Sequence, residues 1–418
     1  MNWIKAFNIF CFLDNQQYSS RHHSVECLAG AGKIDQLIMP SGKAFDSVKA
    51  FSDQNPDWLF GHFGYGLAGE TEALPVTGAV GPAGFPDLHF FVPEILIRVA
   101  NTHIEIGSPM GNHREIYEEI VSTPISAELR QPVSHAAIRS RFSRKEYLQT
   151  IRRIKSHILR GDCYELNFCQ EFYMEDCVID PLSMYLQLTE ASPNPFSGFY
   201  RLDDSYLFCA SPERYLKKTG SRLLSQPIKG TWQLDPAARN SDEENRLKLL
   251  RNAKERSENV MVVDLVRNDL AKVCKEGTVA VDELFGIYSF PNLHHMISSV
   301  TGELDDGLHW VDAVKATFPM GSMTGAPKRR VLELIERYER RGRGIFSGAL
   351  GYVTPTRDFD FNVVIRSMIY EKGRNYLSFP VGSGITFYCD PEKEYEECLL
   401  KISAIKKVVA RSEPLLFK

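Results

Sequence analysis

One stretch of this 418-residue chain strongly limits the kind of fold that it can adopt. Between residues 358 and 370 the side chains alternate, with Phe359, Phe361, Val363 and Ile365 facing one way and Asp360, Asn362, Val364 and Arg366 the other. This period of two predicts a β-strand with one buried face. Helical segments lie between strand-like runs, but no repeating βαβ pattern indicates a doubly wound sheet. We therefore predict an α+β fold, a single large domain of packed antiparallel β-sheets flanked by helices.

Several other elements can be placed from local signals. A helix is expected from Ser143 to a stop at Gly161, because apolar residues recur on one face. The run of residues 164–172 reads as a strand with Tyr164 on the same face as Leu166 and Phe168. A long polar helix is predicted for residues 241–274, with a break near Ser257. The last helix is framed by Asp390 as N-cap and by a proline at the first helical position.

Composition excludes several classes of protein. A net charge of −4 gives no electrostatic reason to expect a nucleic acid or an anionic membrane as partner. There is no apolar run of about 18 or more residues and no leader-like start, so we expect a cytoplasmic protein. The nine cysteines are scattered without zinc spacing, which predicts reduced structural thiols.

Lys229 is the residue that offers the most informative candidate chemistry. It lies between a proline and a glycine in the segment 225–231, Ser-Gln-Pro-Ile-Lys-Gly-Thr. A buried and pinned lysine is either a salt-bridge partner or a nucleophile. As a nucleophile it must lose a proton, which costs about 4.6 kcal/mol at pH 7. Burial beside Mg²⁺ and other cations would lower that cost, so a lowered pKa is expected for this role.

Two helices each carry a pair of glutamates three residues apart, and each pair shares one helix face. The pairs are Glu255 with Glu258 and Glu394 with Glu397. An all-oxygen set of this kind suits Mg²⁺ if a cleft brings the pairs together. Each pair alone is more often an ordinary acidic helix surface, so the spacing by itself leaves both interpretations open.

Four blocks of sequence resemble those of the chorismate-utilising enzymes. They are residues 227–231, 253–270, 318–328 and 382–401, and the resemblance is strong from about residue 143 to 408. It implies the anthranilate synthase component I-like fold, with a catalytic region over 143–410. Residues 1–132 then form a divergent part of the same fold, joined through a connection near residues 131–137.

The resemblance also implies roles for single residues. Glu258 and Glu397 would bind Mg²⁺ directly, with Glu255 and Glu394 binding directly or through water. Glu213 would be the general acid, Lys229 the nucleophile and His295 a neighbour of the substrate. The implied contacts to chorismate, a dianion, are Gly230, Thr231, Thr324, Gly325, Tyr352, Arg366, Gly382, Gly384 and Lys401.

The choice of product depends on two positions. Lysine at 229 is typical of the family members that make aminodeoxychorismate, whereas the anthranilate-forming members usually have alanine there. Glu165 stands where the water-adding members carry a lysine base and the ammonia-using members usually carry glutamine. The resemblance therefore implies amination of chorismate at C4 in the folate pathway, with ammonia from a separate glutamine amidotransferase subunit. The alternatives are an anthranilate synthase component I and a non-catalytic paralogue.

Overall fold

Two antiparallel β-sheets form the framework of the protein. The computed structural model describes residues 1–18, 22, 25–72, 74, 84–100, 102–124, 136–233, 242–290 and 293–411. The strands in this part of the chain are β1 Ile9–Asp14, β2 Cys27–Ala31, β3 Asp35–Met39, β4 Leu59–Phe63, β5 Leu88–Val92, β6 Ile95–Ala100, β7 His103–Gly107, β8 Arg139–Ser140, β9 Glu165–Met174, β10 Phe196–Leu202, β11 Ser205–Ser211, β12 Arg214–Thr219, β13 Arg222–Gln226, β14 Ile228–Gln233, β15 Ala280–Ser289, β16 Leu293–Glu303, β17 Gly325–Ala326, β18 Ala349–Val353, β19 Phe359–Val363, β20 Ser367–Glu371 and β21 Tyr376–Thr386.

Helices cover both sheets. Those within the described residues are α1 Ala44–Gln54, α2 Ala68–Glu72, α3 His113–Ser122, α4 Arg144–Leu159, α5 Pro181–Ala191, α6 Asp242–Arg251, α7 Ala253–Ala271, α8 Trp310–Thr317, α9 Lys328–Tyr338, α10 Pro391–Lys401 and α11 Ser403–Arg411. None of them is both long enough and apolar enough to cross a membrane.

The first sheet has the order β17-β9-β21-β20-β11-β10-β1-β2-β6-β7, and β8 also pairs with β9. The second has the order β14-β16-β13-β12-β19-β18-β4-β5-β3, and β15 also pairs with β16. Every strand pair formed by the described residues is antiparallel, for example β9 with β21 and β18 with β19. The predicted α+β fold of packed antiparallel sheets is confirmed. Strands from the first third of the chain belong to both sheets.

The two sheets pack face to face. A Cβ atom added at Gly30 in the first sheet would lie 2.7 Å from the Phe60 ring in the second, so the strands approach closely there. On the outer side of the second sheet, Trp310 of α8 stacks on Phe361 with the ring centroids 6.3 Å apart. On the outer side of the first, Tyr147 of α4 packs on Phe168, with the centroids 5.7 Å apart. Aromatic side chains therefore pack between the two sheets and on the outer face of each sheet.

Local signals placed the helix ends well. Ser143 caps α4 with a complete capping box, because its hydroxyl accepts from the Glu146 backbone N–H and the Glu146 carboxylate accepts from that of Ser143. Asp390 caps α10 as predicted. The predicted break near Ser257 is wrong by five residues, because the side chain of Asn252 caps α7 and separates it from α6.

Three further predictions need correction or fall outside the structure. Tyr164 precedes β9 and is 70% exposed, so it does not join the buried face of that strand. The long alternating strand is two strands, and Arg366 lies in the break between them with a positive φ of 53°. The predicted connection at residues 131–137 lies mostly outside the described residues. All nine cysteines are described, and none forms a disulfide.

Candidate active site

The predicted site residues meet where one end of each sheet comes together. Lys229 comes from β14 at the end of the second sheet, and Glu165 begins β9 near the end of the first. Helices α7 and α10, which carry the two glutamate pairs, lie against β14 and β21 respectively. The site is therefore built from segments far apart in sequence and held by both sheets.

A buried ion pair stands at the centre of this site. The Lys229 ammonium donates to Oε1 of Glu165, and the two side chains are only 10% and 6% exposed. The pair rests on Gly384 of β21. A Cβ atom added there would lie 3.0 Å from Lys229 Nζ and 3.2 Å from Glu165 Oε1. Glycine at this position therefore leaves the space that the ion pair fills.

The described residues by themselves do not lower the pKa of Lys229, and the lowering expected beside Mg²⁺ and other cations stays a prediction. Burial lowers the pKa of Lys229, but the carboxylates of Glu165, Glu258 and Glu213 outweigh it, so that the pKa is raised overall. The amine is thus held as an ammonium ion. Both initial interpretations of this lysine remain relevant, because a salt-bridged lysine can act only after its proton is transferred.

Glu213 has the properties of an acid at neutral pH. It lies between β11 and β12, is 4% exposed, and burial raises its pKa to about 7, against weaker lowering by the Ser322 hydroxyl and the Lys229 charge. Glu213 and Lys229 do not stand on adjacent strands, because β13 and β16 lie between β12 and β14. They are nevertheless close enough to interact, since the Lys229 charge and the Ile228 backbone N–H both lower the pKa of Glu213.

The four predicted metal-binding glutamates share one region with two lysines. Lys254 Nζ lies 3.5 Å from Glu394 Oε1 and 3.7 Å from Glu258 Oε1, so it links α7 to α10. Lys401 Nζ lies 2.7 Å from Glu397 Oε1. Within the described part of the chain, no three acidic, histidine or cysteine side chains stand close enough together to hold a metal ion. The lysines are the cations that neutralise these carboxylates here.

The chemistry of the donors nevertheless fits a divalent cation. Oε1 of Glu258 is buried and accepts no hydrogen bond from the described residues, and burial raises the pKa of this carboxyl to about 7. Burial also raises the pKa of Glu255 and of Glu394. Glu397 differs, because the Lys401 charge lowers its pKa. A hard cation would favour the ionised form of all four carboxylates and would offer Glu258 Oε1 a direct bond in addition to its ion pair with Lys254.

Arg366 and His295 form a second part of the site. The Arg366 guanidinium donates no hydrogen bond to a described residue, and burial lowers its pKa although the Glu397 charge opposes this. His295 of β16 is 1% exposed, and burial together with the Arg366 charge lowers its pKa to about 3. The histidine is therefore neutral at physiological pH. The Arg366 guanidinium is partly buried and is not engaged by a described hydrogen-bond acceptor, so it can bind a carboxylate through two N–H groups.

Four of the other predicted substrate contacts lie next to the glutamates or to His295. Lys401 Nζ donates to the Gly382 carbonyl at 2.9 Å, which ties α10 to β21. Gly230 has a φ of +92°, and a Cβ atom there would lie 3.2 Å from Glu255 Oε2. The backbone of Thr231 pairs with that of His295. These residues border the site, and their contacts with the substrate stay a prediction.

Thr324 and Gly325 are held beside the ion pair by β9. The Thr324 carbonyl accepts from the Asn167 backbone N–H at 2.8 Å. Gly325 has a φ of +138°, and a Cβ atom there would lie 2.0 Å from the Glu165 carbonyl oxygen. Only glycine allows this approach.

Tyr352 is not brought to the site. It lies in β18 and packs against Trp58, with the ring centroids 5.7 Å apart. It lines a different cavity, together with Phe196 and Asn362. Its predicted contact with the substrate receives no support from this position.

The sequence analysis missed the residues that support the site. Arg343 donates to the carbonyls of Met323 and Asn167, at 2.7 Å and 2.8 Å, and so fixes the loop before Thr324 against β9. Its charge is balanced by Glu339, four residues before it in sequence. From the sequence, Glu165 indicates only that the lysine base of the water-adding family members is absent at this position. Its position opposite Lys229 depends on the meeting of two sheets, which no local pattern reports.

Comparisons with known proteins identify the family of this chain. Residues 10–407 match the family described as chorismate binding enzymes. The chain therefore belongs to the chorismate binding enzyme family.

Two relatives and one solved structure illustrate what this chain is similar to. The chain is 37% identical over 268 residues to aminodeoxychorismate synthase component 1 from Escherichia coli, a match that covers 64% of this chain and 58% of that protein's length. It is 32% identical to anthranilate synthase component 1 from Thermus thermophilus over 90% of this chain and 83% of the relative. Its fold resembles the crystal structure of anthranilate synthase component I from Streptococcus pneumoniae, with a TM-score of 0.77, 22% identity and coverage of 95% and 96% of the two chains.

Proposed function

We propose that this protein aminates chorismate at C4 to give 4-amino-4-deoxychorismate, the reaction indicated by the name of its Escherichia coli relative. The observation that carries the proposal is the buried Lys229 beside the buried carboxyl of Glu213, whose pKa is about 7. A nucleophile and a general acid are what displacement of a ring hydroxyl requires. The same relative is called component 1, which supports a separate partner that supplies ammonia.

In this proposal the chain's own groups divide the work. Neutral Lys229 attacks C2, and the C4 hydroxyl leaves as water with the proton of Glu213. Ammonia then bonds to C4, the C2–N bond breaks with its electron pair returning to Lys229, and a proton of the new ammonium restores Glu213. Chorismate and ammonia thus give the amino product and water.

Charged groups around the ring would hold the dianion. Arg366 offers an unengaged guanidinium for one carboxylate, and Lys401 stands next to the Gly382 backbone. Glu258 and Glu397, with Glu255 and Glu394, are the side chains that would hold Mg²⁺, which would neutralise a substrate carboxylate. His295 is neutral, so it would serve as a hydrogen-bonding neighbour rather than as a charge.

The test is turnover of chorismate with ammonium and Mg²⁺, with the products separated by chromatography and identified by mass. We expect 4-amino-4-deoxychorismate, and Lys229→Ala should abolish it or divert the reaction to anthranilate. Anthranilate from the unaltered protein would favour the function of the Thermus thermophilus relative instead. Isochorismate as the product, or no turnover even with an added glutamine amidotransferase, would refute the proposal.

A further inference from the structure

Glu165 is an unusual neighbour for a lysine that must react. Among the described residues, the Glu165 carboxylate is the acidic group in direct contact with Lys229 Nζ. Both side chains are nearly inaccessible to water. The backbone of Glu165 is fixed on two sides, because it pairs with Ala326 of β17 and with Thr386 of β21. Glu165 is therefore held rigidly against Lys229.

The position of this pair leaves little freedom to either partner. Gly384 forms its floor, where an added methyl group would collide with Nζ at 3.0 Å. The other charged groups that face Lys229 are Glu213, Glu255 and Glu258 of the second sheet and α7, and Glu397 of α10. None of these four is in salt-bridge contact with Nζ. Glu165 alone among the described carboxylates is placed to exchange a proton with it directly.

We infer that Glu165 is the proton acceptor of Lys229: it holds the ammonium in place at rest and takes the proton when the amine reacts. In that step an N–H bond of Nζ breaks and an O–H bond forms on Glu165 Oε1, so a buried ion pair becomes a neutral acid and amine. When the amine is expelled from C2, the same proton returns to Nζ. The inference rests on the proposed function for its catalytic half, while the resting contact stands on the geometry alone.

The resting contact can be tested without substrate. Lysine carrying ¹³C at Cε reports protonation of Nζ by NMR, and the Lys229 signal is assigned by its loss in Lys229→Arg. We expect Glu165→Gln to move the Lys229 titration down by at least about one pH unit, which is about tenfold more neutral amine at a given pH. Glu165→Asp should restore most of the shift. A titration of Lys229 identical in the unaltered protein and in Glu165→Gln would overturn the inference.

A second buried pair provides the matched control. Lys328 Nζ lies 2.7 Å from Asp269 Oδ2, and these side chains are 6% and 3% exposed. Asp269→Asn should therefore shift the titration of Lys328 and leave that of Lys229 unchanged. If Asp269→Asn moved the Lys229 signal as much as Glu165→Gln does, a general change in the fold would explain both results and the inference would fail.

The catalytic half is tested by the ratio of kcat in Glu165→Gln to kcat in the unaltered protein. Because solvent must then deprotonate Lys229, this ratio should rise by about tenfold per pH unit below the pKa of the amine. A merely structural role of Glu165 would give a ratio that is constant with pH, which would overturn the role as proton acceptor. Absence of turnover in the unaltered protein would refute the proposed function but leave the NMR result intact.

Discussion

Replacing Glu213 by glutamine should change how the stability of the protein depends on pH. Burial raises the pKa of Glu213 to about 7 in the folded chain, compared with an ordinary value of 4.5. Between these two values the folded state binds a proton that the unfolded state has released. The free energy of unfolding contributed by this group is therefore highest below pH 4.5 and is lost as the pH rises through 7.

The size of the effect follows from the difference between the two pKa values. A shift of 2.5 units, from 4.5 to 7, corresponds to about 3.4 kcal/mol at about 1.36 kcal/mol per unit. Glutamine cannot ionise and has nearly the same shape. Relative to the unaltered protein, Glu213→Gln should thus gain about 3 kcal/mol between about pH 4.5 and about pH 8, with most of the gain before pH 7.

Urea unfolding at a series of pH values, followed by tryptophan fluorescence, measures this difference. Glu303 is an exposed residue of β16 in the same sheet, so Glu303→Gln is the control and should track the unaltered protein. A difference between Glu213→Gln and the unaltered protein that stays constant over this range would refute the assignment of Glu213 as a buried neutral acid. The same titration predicts that amination slows above about pH 7, where the acid has lost its proton.

Three further predictions concern packing around the site and the core. Tyr200→Phe should lower the free energy of unfolding by about 2–4 kcal/mol, since its hydroxyl bridges His62 and His89 in the core, whereas Tyr185→Phe should have little effect because that hydroxyl has no hydrogen-bond partner in the described part of the chain. Lys328→Met should lower the free energy of unfolding measured in urea by about 1–3 kcal/mol, because Asp269 Oδ2 loses its buried partner while Oδ1 keeps the Lys272 ammonium at 2.9 Å, and Asp269→Asn in the same chain should recover part of the loss. Gly384→Ala should reduce kcat at least about tenfold with little loss of stability, because the added methyl group displaces Lys229 Nζ; unchanged kcat would contradict the placement of the ion pair.

Local signals in the sequence were sufficient for the elements but not for their junctions. The capping boxes and N-caps of α4 and α10 are encoded within four residues, so they could be predicted. The alternation at residues 358–370 was correctly read as β-structure, but it conceals a change of sheet. The Val363 N–H donates to the Glu213 carbonyl, and the Val364 N–H donates to that of Gly348, after which β20 joins the first sheet. A period of two continues through such a crossing and cannot reveal it.

In the candidate site, too, local features could be predicted from the sequence but contacts between distant segments could not. Each glutamate pair was recognisable from its spacing on a helix, and the structure places both pairs in one region. The contact between Lys229 and Glu165 joins residues 64 positions apart on different sheets. It depends on how the two sheets meet, which is decided by packing of the whole core rather than by any local preference.

The crossings between the sheets explain why the reactive groups are where they are. Glu213 follows β11 of the first sheet and precedes β12 of the second, and Arg366 follows β19 of the second and precedes β20 of the first. At a crossing the chain leaves the regular ladder, so a side chain can point between the sheet ends instead of into a face. Both groups are therefore carried by backbone anchored in two sheets at once, which limits their movement. Charges held in this way need no reorganisation to meet a substrate, and this is the property that electrostatic stabilisation of a transition state requires.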